Sequence, residues 1–162
     1  MPTIRPAATF VVAVFAALLA TPAFADITGF IGATTTPANR LVKGVAAGGG
    51  LIVIGFEFEY ADSTDDPAAF APVLKTGMGN VLLQTPVPIF GFQPYFTTGG
   101  GIYRERLGTH VDTGVGVNIG GGVKVTLVGP LRLRVDYRMF RLGSDALYSP
   151  AHRFYVGLNV KL

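Results

Sequence analysis

Side chains able to do chemistry are few in this 162-residue chain. It has no cysteine, which excludes disulfides, thiolate zinc sites, thiol catalysis and the lipid-carrying cysteine of a lipoprotein. His110 and His152 are its two histidines. Ser144, Ser149, Asp145 and Glu105 are of the kinds that would complete a Ser-His-carboxylate hydrolytic set beside them. Geometry defines such a triad and spacing does not, so the sequence names these residues without assembling them. Solvated loop residues of the same kinds need no further explanation. The histidines lack a clear ligand set, so no metal site is expected, and no cofactor. Gly99-Gly100-Gly101 and Gly120-Gly121-Gly122 match phosphate-cradling loops in composition alone. Such a loop lies between a strand and a helix, and no helix follows either run. These glycines instead leave room for a bulge or for bulky neighbours.

The remaining charges follow a period of two. In Leu131 to Arg141, Leu131, Leu133, Val135, Tyr137 and Met139 share one face, and Arg132, Arg134, Asp136, Arg138 and Phe140 the other. That alternation is a strand with one apolar and one polar face. In Ile52 to Tyr60, Glu57 and Glu59 lie with Val53 and Gly55 against Ile52, Ile54, Phe56, Phe58 and Tyr60. Val111 to Leu127 and Phe154 to Leu162 repeat the pattern, with small or polar residues on the minor face. Eight strands are expected: Ile27 to Thr35, Leu41 to Gly48, Leu51 to Ala61, Val73 to Gln84, Phe92 to Arg104, Val111 to Thr126, Leu131 to Arg141 and His152 to Leu162. Tight or apolar connections (Gly48-Gly49-Gly50, Thr85 to Gly91, Val128-Gly129-Pro130) alternate with more polar ones at Thr36 to Arg40, Asp62 to Pro72, Glu105 to His110 and Leu142 to Ala151. A transmembrane barrel has this asymmetry, with short periplasmic turns and longer outer loops.

Composition agrees. Charged residues are 14% and hydrophobic ones 49%, with 22 glycines and 12 phenylalanines. Charge is about 25% in an ordinary soluble domain, and disordered chains are poorer in apolar residues. The net charge of +3 is small and scattered, so no nucleic-acid-binding stripe is present. Met1 to Ala25 has the order of a secretory signal peptide: Arg5 near the start, an apolar run from Ala7 to Ala20, Pro22, then Ala23-Phe24-Ala25 as a cleavage site. The apolar run is shorter than the roughly 20 residues of a spanning helix. Two segments are therefore expected, residues 1–25 as a cleaved leader and 26–162 as the barrel.

A soluble eight-stranded barrel also alternates, with its apolar face inward. Here the polar face is narrow and glycine-rich, with Gly55, Gly114, Gly116, Gly120 and Gly157 among its few charges. The apolar face is broad and aromatic. Small residues suit the inside of a tight barrel and the apolar face suits lipid, where closure satisfies every backbone group. The expected class is all-β: an eight-stranded antiparallel transmembrane β-barrel.

From Asp26 to Leu162 the chain resembles the small outer-membrane barrels of the OmpA/OmpX kind. Tyr155, Gly157, Val160 and Leu162 match the spacing of the last-strand signal read by the barrel-assembly machinery, with Leu in place of the usual final Phe. The resemblance implies a small monomeric protein of the bacterial outer membrane, embedded in lipid and lipopolysaccharide, with a structural or surface-interaction role. A narrow passive channel and a lipid A-modifying enzyme are the alternatives.

Two groups of residues are singled out inside that frame. Glu57, Glu59, Arg132, Arg134, Asp136 and Arg138 point into the lumen, where a charge cannot be left alone without a cost of about 3–5 kcal/mol. They are expected to form an ion-pair network, with Glu57 and Glu59 meeting Arg134 and Arg138. Arg40, Arg104, Arg106, Arg141 and Arg153 fall near the outer rim, where they are either contacts for lipopolysaccharide phosphates or solvated rim residues.

Overall fold

The computed structural model describes residues 24–162. They form a closed barrel of eight antiparallel strands, each paired with its sequence neighbours and β1 with β8. In chain order these are β1 (Phe24–Thr34), β2 (Arg40–Leu51), β3 (Ile54–Ser63), β4 (Val73–Gln84), β5 (Phe92–Leu107), β6 (His110–Val128), β7 (Leu131–Arg141) and β8 (Ala151–Lys161). Up-and-down order needs only hairpin connections, and closure leaves no strand edge unpaired. Both ends of the described chain lie at one end of the barrel, since Leu162 N donates to Ala25 O at 2.8 Å. We call this the terminal end and the other the loop end.

The period-two pattern becomes the two faces of the wall. Phe56 and Phe58 stand outward at 61% exposure each, while Glu57 and Glu59, which alternate with them, are buried. Ile102, Val115, Phe154, Val156 and Leu158 are likewise exposed on the outside. No described helix is long and apolar enough to cross a membrane.

Two connections differ from the sequence expectation. The Gly48-Gly49-Gly50 run lies inside β2, where the three residues pair with Glu57, Phe56 and Gly55 of β3, and the turn falls at Ile52 and Val53. Close approach explains it: a Cβ on Gly48 would stand 2.5 Å from the carbonyl oxygen of Phe56. Glu105 to His110 is not a long polar loop either. β5 and β6 continue pairing to Leu107 and His110, leaving a two-residue turn with Gly108 at φ 59°. A left-handed residue is what such a tight hairpin requires.

The expected leader lies outside the described residues from Met1 to Ala23. Phe24 and Ala25, its last two residues, begin β1 and pair with Gly50 and Gly49.

Candidate functional site

The lumen is filled in layers. At the loop end an apolar cluster of Leu74, Met78, Tyr103, Phe140, Leu142 and Ala151 occupies it. The 142–150 connection is tied down over this cluster. Leu147 N donates to Glu105 at 2.6 Å, and Leu142 N donates to Ser149 Oγ at 3.1 Å. Leu142 is buried, and Ala146 packs on the cluster from the same connection.

Beneath this plug lies a layer of charge. Arg134 places both terminal nitrogens on the Glu57 carboxylate, with Nη2 at 3.2 Å from Oε1. Its Nη2 also donates to Asp136 at 3.1 Å, and its Nε donates to the Tyr95 hydroxyl at 2.7 Å. The Tyr95 hydroxyl in turn donates to Asp136. Arg138 bridges the layer. Nη2 donates to Glu57 at 2.8 Å, and Nε donates to Asp136 at 3.0 Å. Its Nη1 is 3.1 Å from Glu59 Oε2, an ionic contact without hydrogen-bond alignment. Arg153 Nη1 donates to Glu59 at 3.1 Å and Nη2 to Thr76 at 3.1 Å. The Tyr155 hydroxyl donates to Glu59 at 3.2 Å. Arg134, Arg138 and Arg153 thus face Glu57, Glu59 and Asp136, three cations against three anions.

The aromatic rings in this layer also stabilise charge. The Arg134 guanidinium lies 4.9 Å from the centre of the Tyr95 ring, and that of Arg153 lies 4.3 Å from Phe140. A desolvated cation over a ring face is stabilised by about 2 kcal/mol. Gly122 makes room for this arrangement, since a Cβ there would sit 2.5 Å from the Tyr95 hydroxyl.

The expected lumenal set is distributed as follows. Glu57, Glu59, Arg134, Asp136 and Arg138 meet in one layer. Arg132 does not join them. It points inward nearer the terminal end and donates to Gln93 Oε1 at 3.0 Å, because its β7 position, two residues before Arg134, carries it below the layer. Tyr95, Tyr155, Arg153 and Thr76 belong to the layer and were not assigned to it from sequence. Alternation was the available signal: Arg153 has the parity of Tyr155, Gly157 and Asn159 on β8.

The rim set divides too. Arg104, Arg106 and Arg141 are exposed on the outside. Arg153 is 1% exposed inside the barrel and cannot reach a lipid headgroup. Arg40 is also turned inward: it is buried and donates to Thr36 O at 2.6 Å. Both sit at inward positions of their strands, which decides their side more firmly than nearness to a loop. Sequence reasoning missed the companions of Arg104 and Arg106. Lys75 is opposite Arg104 in register, and Lys43 and Lys75 flank Asp62 on adjoining strands. Lys75 Nζ is 3.4 Å from Asp62.

Of the last-strand residues, Tyr155 and Gly157 face the lumen, and Val160 and Leu162 face outward. The Tyr155 ring stacks on Phe30 at 4.0 Å between centres, and a Cβ on Gly157 would stand 2.9 Å from the Phe30 Cβ.

The histidines stand apart from each other's chemistry. His110 is 3.4 Å from Glu105 at the β5–β6 hairpin. His152 Nδ1 is 2.7 Å from the Tyr137 hydroxyl. Ser149 is occupied with the Leu142 backbone, and Ser144 and Asp145 are exposed. Among the described residues, no group of three or more His, Asp or Glu is placed to hold a metal ion.

The barrel is similar to several solved structures. The N-terminal β-barrel domain of Pseudomonas aeruginosa OprF superposes with a TM-score of 0.67 at 14% identity, over 86% of this chain and 97% of that one. Neisserial surface protein A superposes with 0.60 at 15% identity, over 86% and 94%. The outer membrane enzyme PagL superposes with 0.53 at 12% identity, over 85% and 99%. The fold is that of the small eight-stranded outer-membrane barrels. No family model and no curated protein matches the sequence. At these identities the likeness concerns the fold, and activity has to be argued from the site.

Proposed function

We propose that this chain is a small integral protein of the bacterial outer membrane, non-enzymatic and monomeric, with a sealed lumen. Its role is structural, or is exercised through its outer loops. The observation that carries this reading is the filling of the lumen: an apolar plug under a pinned loop, resting on a balanced layer of buried ion pairs. A water path for ions would have to displace both. The terminal end faces the periplasm, and the loop end faces outward, as short turns and long loops are arranged in such barrels. Residues 1–25 act as the cleaved export leader. Tyr155, Gly157, Val160 and Leu162 form the signal for the barrel-assembly machinery. Arg104 and Arg106, with Lys43 and Lys75, contact lipopolysaccharide phosphates from the outer wall, and Arg141 does so on another side.

The passive-channel reading finds less support, since the layer that would have to open is neutral, with each of its three guanidiniums facing a carboxylate. The lipid A-modifying reading would need a serine, a histidine and a carboxylate in one place. His110, His152, Ser144 and Ser149 have other neighbours or stand exposed.

Cell fractionation with detergent-gel mobility tests the location. The protein is expected in the outer-membrane fraction, with an unboiled sample migrating differently from a boiled one. Identical migration from a soluble fraction would remove the reading. Purified lipid A incubated with the protein and read by mass spectrometry is expected to stay unmodified.

A further inference from the structure

The connections at the terminal end are unequal. Ile52-Val53 and Gly129-Pro130 are two-residue turns, whereas β4 and β5 are joined by residues 85–91. That turn reads Thr-Pro-Val-Pro-Ile-Phe-Gly, and after Thr85 it has no side chain able to form a hydrogen bond. Its two sides differ. Pro86 and Pro88 border a cavity of about 180 Å³ inside the terminal mouth of the lumen. Val87, Ile89 and Phe90 are exposed, Phe90 at 97%. A contiguous apolar patch of this kind marks a surface that meets something other than water.

The backbone of the turn is built to keep that patch out. Phe90 has φ 52°, a left-handed conformation that a bulky L residue adopts only under constraint. The constraint is a closed bridge. Ile89 N donates to Phe92 O at 2.8 Å and Phe92 N donates to Ile89 O at 3.0 Å, which folds the chain tightly round Phe90 and Gly91. Thr126 N of β6 donates to Gly91 O at 2.9 Å and fastens the turn to the next strand. Pro86 and Pro88 carry no N–H. Bridge, fastening and prolines each remove backbone groups that would otherwise need water, as a segment lying against lipid requires.

The apolar outer wall runs into this turn without a break. Ile54, Leu83 and Phe96, paired across β3, β4 and β5, are exposed outside toward the terminal end, and Phe92 carries the same face to the start of β5. Outward charges such as Lys75, Arg104 and Arg141 lie toward the loop end of their strands. We propose that the 85–91 turn is an apolar foot immersed in the lipid leaflet at the terminal end, with Val87, Ile89 and Phe90 packed among the glycerol and upper acyl groups of phospholipid. The proposal rests on the transmembrane reading of the barrel and extends the lipid-facing surface beyond its strands. Apolar side chains of segments lying in a membrane interface reach about 5–10 Å into the boundary between headgroups and acyl chains. Water still reaches unpaired backbone groups at that depth. Because the foot stands under β4 and β5 alone, it holds one side of the barrel to the leaflet and so sets the depth and tilt of the whole.

The chain has no tryptophan, so Phe90→Trp and, separately, Phe58→Trp each give the full chain a single emitting residue of that kind. Both are refolded into phosphatidylcholine vesicles and checked for the heat-modifiable mobility of a folded barrel; Ile89→Trp replaces Phe90→Trp should that variant not fold. Lipid with bromine on the acyl chains near the glycerol end is compared with lipid brominated near the chain ends. Symmetric vesicles make the readout independent of the direction of insertion. Phe90→Trp is expected to emit to the blue of tryptophan in water and to lose about half its intensity to bromine near the glycerol end, with less lost to the deeper bromine. Phe58→Trp, on the wall, should show the opposite order. Emission as in water without quenching at Phe90→Trp, beside a quenched Phe58→Trp, overturns the proposal, because the turn then stands in water. Blue emission without quenching overturns it too, since protein, such as a second copy of the chain, then covers the turn. In both cases the transmembrane reading survives. No quenching at either residue removes that reading, and the foot with it.

Discussion

Replacing Glu57 by glutamine should be among the most destabilising isosteric changes available to this barrel. The carboxylate receives both terminal nitrogens of Arg134 and Nη2 of Arg138, the last at 2.8 Å. An amide keeps the shape and one acceptor oxygen, but turns an N–H donor toward a guanidinium. It also leaves three buried guanidiniums facing two carboxylates. The side chains of Arg134 and Glu57 are 0% and 2% exposed, so solvent does little to screen the surplus charge. Removing one partner of a buried pair costs about 3–5 kcal/mol. With a urea slope of about 2 kcal/mol per molar, a loss of about 4 kcal/mol lowers the unfolding midpoint by about 2 M. The assay is urea unfolding of protein refolded into lipid vesicles, followed by circular dichroism and by mobility on a cold detergent gel. Asp62→Asn is the internal reference, because its pair with Lys75 is partly exposed at 3.4 Å and should be worth under about 1 kcal/mol. A Glu57→Gln midpoint no lower than that of Asp62→Asn would refute the reasoning. The layer would then hold water, or a different protonation state, in place of the ion pairs described.

Three further outcomes follow from the same geometry. Gly122→Val should yield little folded barrel on a heat-modifiability gel, since its Cβ would meet the Val135 carbonyl oxygen at 2.2 Å, a backbone atom that cannot step aside. Phe58→Arg, on the outward face at 61% exposure, should cost about 2–4 kcal/mol in vesicles if that face lies at mid-bilayer, measured by the same urea midpoint. In planar bilayers the parent should show no openings above the empty-membrane background, and Arg134→Gln should conduct no better; regular openings in the parent would contradict a lumen sealed by Leu142 and its neighbours.

The sequence by itself determined the wall. Period-two alternation is a local property of the chain, set by successive side chains pointing to opposite faces, so it survives without knowledge of partners. Val73 to Gln84 and Leu131 to Arg141 are strands over the residues that alternation and turn signals indicate. The same parity also assigns Glu57, Glu59, Arg134, Asp136 and Arg138 to the inside, and it would have assigned Arg153 there had strand face outweighed nearness to a loop. The sequence already points Glu57 and Glu59 at Arg134 and Arg138. What the tertiary structure alone decided is the depth at which they meet and which other side chains join them. β3 and β7 are four strands apart in a ring of eight, on opposite sides of it, and Glu57 and Arg134 are 77 residues apart in sequence. Depth along the barrel comes from the stagger between neighbouring strands, summed round the closed sheet. That sum leaves Arg132 below the ionic layer and brings Tyr95 and Tyr155 into it. It also leaves Lys124, Arg132 and Lys161 around a space that no stretch of the chain, read alone, would have revealed.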